Sequence, residues 1–168
     1  KRLFDIIFSS LGLILLLPLL LVIALILKLE SEGAVFYKQV RVGKGNLDFK
    51  IFKFRTMFIG SDKKGLLTVG DRDPRGTNTG FFLRKYKLDE LPQLINVFLG
   101  SMSFVGPRPE VRHYVNYYSA DDMQILSVKP GITDYASIIF RDEAELLKTA
   151  ENPEELYINT ILPQKIAL

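Results

Sequence analysis

The chain has no cysteine, which excludes a disulfide framework and a thiolate metal site and fits a reducing compartment. Its single histidine, His113, is too little for a histidine-built zinc site. A strong excess of either charge is also missing: 22 Lys and Arg stand against 19 Asp and Glu, a formal net charge of +3. That mild basic bias suits anionic lipid headgroups or phosphorylated substrates and is too weak to argue for nucleic acid. There is no internal repeat and no low-complexity tract. The first residue is not methionine, as expected of a chain trimmed at its start.

Apolar residues are plentiful. They make up 48% of 168 residues, enough for one domain with a real core, and the excess lies before Lys28. The 22 residues from Ile6 to Leu27 carry no charge. As a helix they reach roughly 33 Å, just enough for a bilayer core of about 30 Å. Pro18 falls in the middle, where it removes a hydrogen bond and bends a helix. Cations flank both ends, Lys1 and Arg2 before and Lys28 after, and both are favoured on the cytoplasmic side. Asp5 follows Arg2 by three residues, within pairing distance at a headgroup interface. A helix that enters, bends at Pro18 and returns satisfies all three features. An ordinary spanning anchor with a tolerated proline fits the segment as well. A cleaved signal peptide fits less well, because the run is long and no small-x-small site follows it.

Beyond Lys28, residues 34–41 and 49–57 read as strands around a turn at 42–46. Gly43-Lys-Gly45 is a weak phosphate-loop signal, better read as a plain turn. Lys53 and Arg55 fall on one strand face, as a solvated surface or a phosphate patch. Residues 61–79 form a long polar loop, and such loops often carry function. Residues 80–87 lead into a helix starting near Leu88 or Asp89, which Gly100 ends. Further helical segments are expected at 110–118, 119–128 and 142–150, with Asn152-Pro153 capping a last one. Residues 132–141 read as a strand or extended piece.

Chemistry concentrates in two places. Leu88-Asp-Glu-Leu-Pro-Gln93 carries adjacent carboxylates, Asp89 and Glu90, and Ser101-Met-Ser-Phe-Val-Gly-Pro-Arg-Pro109 ends in a stiff Pro107-Arg108-Pro109 loop with a permanent cation. Acid beside a fixed guanidinium suits phosphate chemistry: a carboxylate attacks phosphorus or holds a metal, and a guanidinium forks onto phosphoryl oxygens. Simple helix-start chemistry accounts for Asp89-Glu90 alone, but leaves Arg84, Lys85 and the Pro-Arg-Pro loop without a purpose.

Several motifs in one order resemble those of the small monotopic phosphoglycosyl transferases, the bacterial sugar transferase family. They are Lys1-Arg-Leu-Phe-Asp5, the proline-broken apolar helix, Gln39-Val-Arg41, Phe52-Lys-Phe-Arg-Thr-Met57, Leu88 to Gln93, Met102 to Pro109 and Lys129-Pro-Gly-Ile-Thr133. The resemblance implies an α+β fold. A proline-broken re-entrant membrane helix, residues 1–30, precedes a compact, mainly helical catalytic domain with a small β-hairpin, residues 31–168. It implies transfer of a sugar 1-phosphate from a UDP-sugar to polyprenol (undecaprenyl) phosphate, releasing UMP, as the first membrane step of glycan assembly. Asp89 is then the nucleophile that forms a covalent phosphosugar intermediate and also meets the metal, with Mg²⁺ as cofactor. Glu90 orients the site or assists the incoming lipid phosphate. Lys53, Arg55, Arg84, Pro107, Arg108 and Pro109 bind substrate, with Arg84 and Arg108 keeping Asp89 ionised. Arg2, Asp5, Leu17 and Pro18 belong to the membrane segment. The implied setting is the bacterial inner membrane, catalytic domain on the cytoplasmic face, among membrane lipids. A homodimer is compatible with the sequence and not specified by it.

The match is not uniform. Leu17-Pro18 stands where the family often has Ser-Pro, Ser101 where an acid is common, and Asp134-Tyr-Ala-Ser137 where Gly-Leu-Ala-Gln often follows. These departures leave the sharpness of the bend and the donor sugar open. The family often has a longer tail beyond the position of Leu168. Two other readings remain: a membrane-anchored lipid-binding or assembly module without catalysis, which has no need of a carboxylate pair among cations, and an ordinary glycosyltransferase releasing UDP.

Overall fold

The structure is a computed structural model that describes residues 1–61, 65, 67, 68, 70 and 73–168. The apolar run forms one helix, α1 (Arg2–Glu30). Ser9 and Ser10 return their hydroxyls to the carbonyls of Asp5 and Ile6 at 2.5 and 2.7 Å, so neither polar group is unbonded in an apolar setting. The backbone stays helical past Pro18, which lies exposed with Leu17. Most of the helix surface is uncovered: Leu3, Ile14, Leu15 and Leu25 are 61–71% exposed.

One stripe of α1 packs on the rest of the chain. Gly12 lies against Leu94 of α3 (Gln93–Leu99). Further along, Ile23 and Leu27 share a core with Phe54 and Leu83. Polar contacts fix both ends. Arg2 donates to the carbonyls of Val97 and Phe98 at 2.6 Å each. Asp5 accepts from Ser103 Oγ at 3.0 Å and Phe104 N at 3.4 Å. Arg2 and Asp5 therefore do not pair with each other as expected: one caps the end of α3 and the other is buried against the strand beyond it. At the far end, Arg55 donates to the carbonyls of Leu27, Ser31 and Glu32.

Strands β1 (Phe36–Val42) and β2 (Asp48–Phe54) form an antiparallel hairpin, with Phe36 opposite Phe54 and Val42 opposite Asp48. Gly45, at φ 70°, makes the plain turn between them. Asn96 ties α3 to the hairpin, accepting from Phe52 N and donating to Lys50 O, both at 2.8 Å. Helix α2 (Asn78–Lys85) starts at Thr77, whose hydroxyl accepts from Gly80 N. Much of the expected polar loop, residues 62–64, 66, 69, 71 and 72, lies outside the described residues.

In the second half, β3 (Ser103–Val105) pairs in parallel with β4 (Gly131–Thr133). A Cβ on Gly131 would collide with the Gly106 backbone, so only glycine admits this approach. The extended reading of residues 132–141 holds only as far as Thr133. Asp134 then accepts from Ser137 N at 2.7 Å and starts α5 (Tyr135–Ile139). The helix expected at 110–118 shortens to α4 (Arg112–Val115), and residues 122–127 form a 3-10 turn. Helices α6 (Glu143–Lys148), α7 (Pro153–Leu156) and α8 (Leu162–Ile166) follow, with a π turn at Tyr157–Ile161. They close over Val111, Tyr114, Leu147 and Tyr157. The architecture is α+β, mainly helical with two small sheets.

Candidate active site

The acid pair sits where the chain changes direction. Lys87 adopts a left-handed conformation, φ 56°, uncommon for a residue with a side chain. It turns the end of α2 into a 3-10 turn, Leu88–Glu90. The turns continue through Leu91 and Pro92 into α3, which stops at Gly100, φ 92°. Asp89 and Glu90 thus stand on a rigid stretch braced by β2 and α1 rather than on a free loop.

Their neighbours separate the two acids. Glu90 takes Lys53 Nζ at 2.8 Å and Arg108 Nη2 at 2.7 Å on the same oxygen, and Arg108 Nη1 at 3.4 Å on the other. Burial alone would raise its carboxyl, but Lys53 and Arg108 outweigh burial and hold it well below the usual range. Asp89 has the opposite balance. Burial pushes its carboxyl up, opposed chiefly by Lys53, while the neighbouring Glu90 charge pushes it further up. Its Oδ1 is buried with no hydrogen-bond partner among the described residues. Arg84 and Arg108 were expected to keep Asp89 low. Arg84 contributes only weakly, and the Arg108 fork is committed to Glu90. Burial also lowers Lys53, partly offset by Glu90, while Glu90 raises Arg108. Two adjacent carboxyls pushed in opposite directions are characteristic of acid–base and nucleophilic sites.

The Pro107–Pro109 loop is held from several sides. Its Arg108 N donates to Asp134 Oδ2 at 2.8 Å, and Gly131 N donates to Pro107 O at 3.0 Å. Arg41 donates to Pro109 O at 3.2 Å. Beyond it, buried Glu110 accepts from Tyr157 at 2.6 Å and from Lys165 at 3.4 Å, and pairs with Arg41 at 3.5 Å. A small cavity on that side is lined by Arg108, Glu110, Tyr118, Ile125, Asp134 and Lys165.

The structure therefore brings Lys53, Asp89, Glu90 and Arg108 together, with Pro107 and Pro109 flanking the guanidinium and Arg84 close enough to lower Asp89. Arg55 is not with them. It is 7% exposed and spent on the end of α1, so its part is to hold that helix. Leu17 and Pro18 lie on the exposed apolar surface, and Arg2 and Asp5 on the inner side of α1. The sequence pattern missed Glu110, Asp134, Tyr157 and Lys165 as supports. No local signal marks them, since Glu110 lies 47 and 55 residues from its partners. Among the described residues no cluster of three or more Asp, Glu or His gathers to hold a metal. Among the buried carboxylate oxygens of the described residues, Asp89 Oδ1 lacks a hydrogen bond. One carboxylate oxygen sharing Mg²⁺ with substrate phosphates is an ordinary arrangement, so the donor set fits.

The bacterial sugar transferase family model matches residues 1–162. Among curated relatives, the UDP-glucose:undecaprenyl-phosphate glucose-1-phosphate transferase of Escherichia coli (strain K12) is 42% identical over 165 residues, 96% of this chain and 36% of the relative. The UDP-N-acetylgalactosamine-undecaprenyl-phosphate N-acetylgalactosaminephosphotransferase of Aeromonas hydrophila is 43% identical over 142 residues, 83% of this chain and 34% of the relative. The exopolysaccharide production protein ExoY of Rhizobium meliloti is 37% identical over 158 residues, 85% of this chain and 70% of the relative. The chain thus spans about a third of the length of the first two.

Proposed function

Because the chain belongs to the bacterial sugar transferase family, we propose that it transfers a sugar 1-phosphate from a UDP-sugar to undecaprenyl phosphate and releases UMP. The observation that carries this reading is the buried Asp89 carboxylate, one oxygen unbonded, next to a Glu90 already neutralised by Lys53 and Arg108. Such a group is poised to form a new bond rather than complete an ion pair. The names of relatives include both glucose and N-acetylgalactosamine, so the donor is assigned to the class of UDP-sugars.

The reaction runs in two displacements. An Asp89 oxygen attacks the phosphorus that bears the sugar. The bond from that phosphorus to the UMP oxygen breaks, and UMP leaves with the electron pair. A phosphate oxygen of the lipid then attacks the same phosphorus, and the acyl–phosphate bond breaks to return the Asp89 carboxylate. Asp89 must be ionised to begin, and Lys53 is the cation that most favours that form. Arg108, fixed by Glu90 and the Asp134 contact, presents its remaining N–H groups to phosphoryl oxygens. Asp89 would hold Mg²⁺ together with the donor phosphates, and the ion would supply charge neutralisation there.

The same proposal places α1 as a re-entrant helix bent at Pro18, in the inner membrane with the catalytic body on the cytoplasmic face. Both ends of α1 bond to one folded body, through Arg2 and Asp5 at the start and Arg55 at the finish. That supports a helix entering and leaving by the same face, with its exposed leucines in lipid. The reaction is tested by measuring UMP release from a panel of UDP-sugars with undecaprenyl phosphate in lipid nanodiscs. Release of UMP with at least one donor supports the reading. Release of UDP instead refutes it.

A further inference from the structure

Lys165, on the last helix, spends all three of its N–H donors inside the protein. Its Nζ meets Glu143 Oε2 at 3.0 Å, Tyr157 Oη at 3.1 Å and Glu110 Oε1 at 3.4 Å. The side chains of Lys165 and Glu110 are each 9% exposed. Withdrawing an ammonium so far from water is costly unless it balances charge already there. Two acids share it: Glu110, which follows the Pro107–Pro109 loop, and Glu143 of α6.

The cluster is balanced only while Lys165 carries its charge, with Glu110 and Glu143 set against Lys165 and Arg41. Arg41 is already engaged. Its guanidinium meets Gln39 Oε1 at 2.8 and 3.1 Å and Pro109 O at 3.2 Å. Arg108 is the other cation at hand, since it lines the same small cavity as Glu110 and Lys165. Glu90 raises Arg108 most, against burial, and Glu110 and Glu143 add to the rise, so both acids already attract its guanidinium.

We infer that Lys165 is a positioning residue for the proposed transfer: by neutralising Glu110 and Glu143 it leaves Arg108 to Glu90 and to the phosphoryl oxygens. Without that charge, two acids face Arg41 alone and compete with Glu90 for the Arg108 fork. The same cluster gives the Gln39-Val-Arg41 motif a purpose, because Gln39 holds Arg41 against the loop that carries Arg108. The inference rests on the phosphoryl-transfer reading above.

The test reads kcat/KM for UMP release and the thermal midpoint, with the full chain in nanodiscs and at a temperature where each variant is folded. Lys165→Gln removes the charge and keeps a hydrogen-bonding head, and should lower kcat/KM about tenfold. Lys165→Arg keeps the charge and should stay within about threefold of wild type. Adding Glu143→Gln to Lys165→Gln removes the surplus acid and should bring kcat/KM back to within about threefold of wild type. In an Arg108→Gln background there is no cation to divert, so Lys165→Gln should cost no more than about twofold there. If Lys165→Gln lowers the midpoint but keeps kcat/KM within about twofold of wild type, Lys165 is a structural tie. If the loss persists with Glu143→Gln, or is equally large in the Arg108→Gln background, it does not act by charge through Arg108. Each of these results overturns the inference and leaves the proposed reaction standing. Should Lys165→Gln not fold, the double variant with Glu143→Gln decides: near-wild-type kcat/KM supports the inference, and a tenfold loss overturns it. A wild type that releases no UMP with any donor removes both readings.

Discussion

Arg108 meets Glu90 with its two terminal guanidinium nitrogens, Nη2 at 2.7 Å and Nη1 at 3.4 Å, and not the neighbouring Asp89. The choice of partner separates the roles of two adjacent acids. Glu90 becomes a fixed anion that aims Lys53 and Arg108, and Asp89 is left with an oxygen to spend.

Arg108→Lys should therefore lose activity while keeping the charge, since an ammonium cannot span both Glu90 oxygens and also face phosphate. The expected fall is about tenfold in kcat/KM or more. Wild-type turnover in this variant would show that the fork is not needed.

Glu90→Gln should destabilise the fold, because it leaves Lys53 and Arg108 as partly buried cations without their anion. The loss is about 1–3 kcal/mol, below that of a fully buried pair, read by thermal or denaturant unfolding. The sign with pH follows from the depressed Glu90 carboxyl. Its contribution is present above the ordinary glutamate range, near 4.5, and is lost as pH falls through its lower folded value. In Glu90→Gln that acid-side loss should be smaller than in wild type.

Activity should fail on acidification at a pH above the ordinary aspartate range, because burial raises the Asp89 carboxyl and only the ionised form attacks. Lys53 is its largest opposing influence. Lys53→Met should move the acid limb of kcat/KM to higher pH. A limb that stays in place or moves lower would show that Lys53 does not tune Asp89.

Much of this was legible because its signals are local. An uncharged run bounded by cations marks α1, and Gly100 marks the end of α3 within one turn. The Asp89-Glu90 pair and Arg108 stand out as charges in apolar motifs. What could not be read depends on distant partners. Nothing near Arg55 says that its guanidinium closes the end of α1, and nothing near Glu110 names Tyr157 or Lys165. The raised Asp89 carboxyl is a property of burial, so counting cations along the chain gave the opposite sign. Asp134 misled for a different reason: the β-branched residues around it suggest a strand, while its side chain caps a helix.

Arg55→Met tests the reassigned arginine. It removes the donor to three carbonyls at the end of α1, so stability should fall by about 1–3 kcal/mol. The KM for the UDP-sugar should stay near wild type, measured at a temperature where the variant is folded. A rise in KM without a loss of stability would return Arg55 to the substrate.

The covalent step carries the whole account, and it is tested most directly by mass spectrometry of the protein incubated with its UDP-sugar and no lipid acceptor. The account predicts UMP release up to one equivalent and a phosphosugar mass on the peptide containing Asp89, both absent in Asp89→Asn. UMP that forms only when undecaprenyl phosphate is added, with no modified peptide, would contradict it and make the transfer direct.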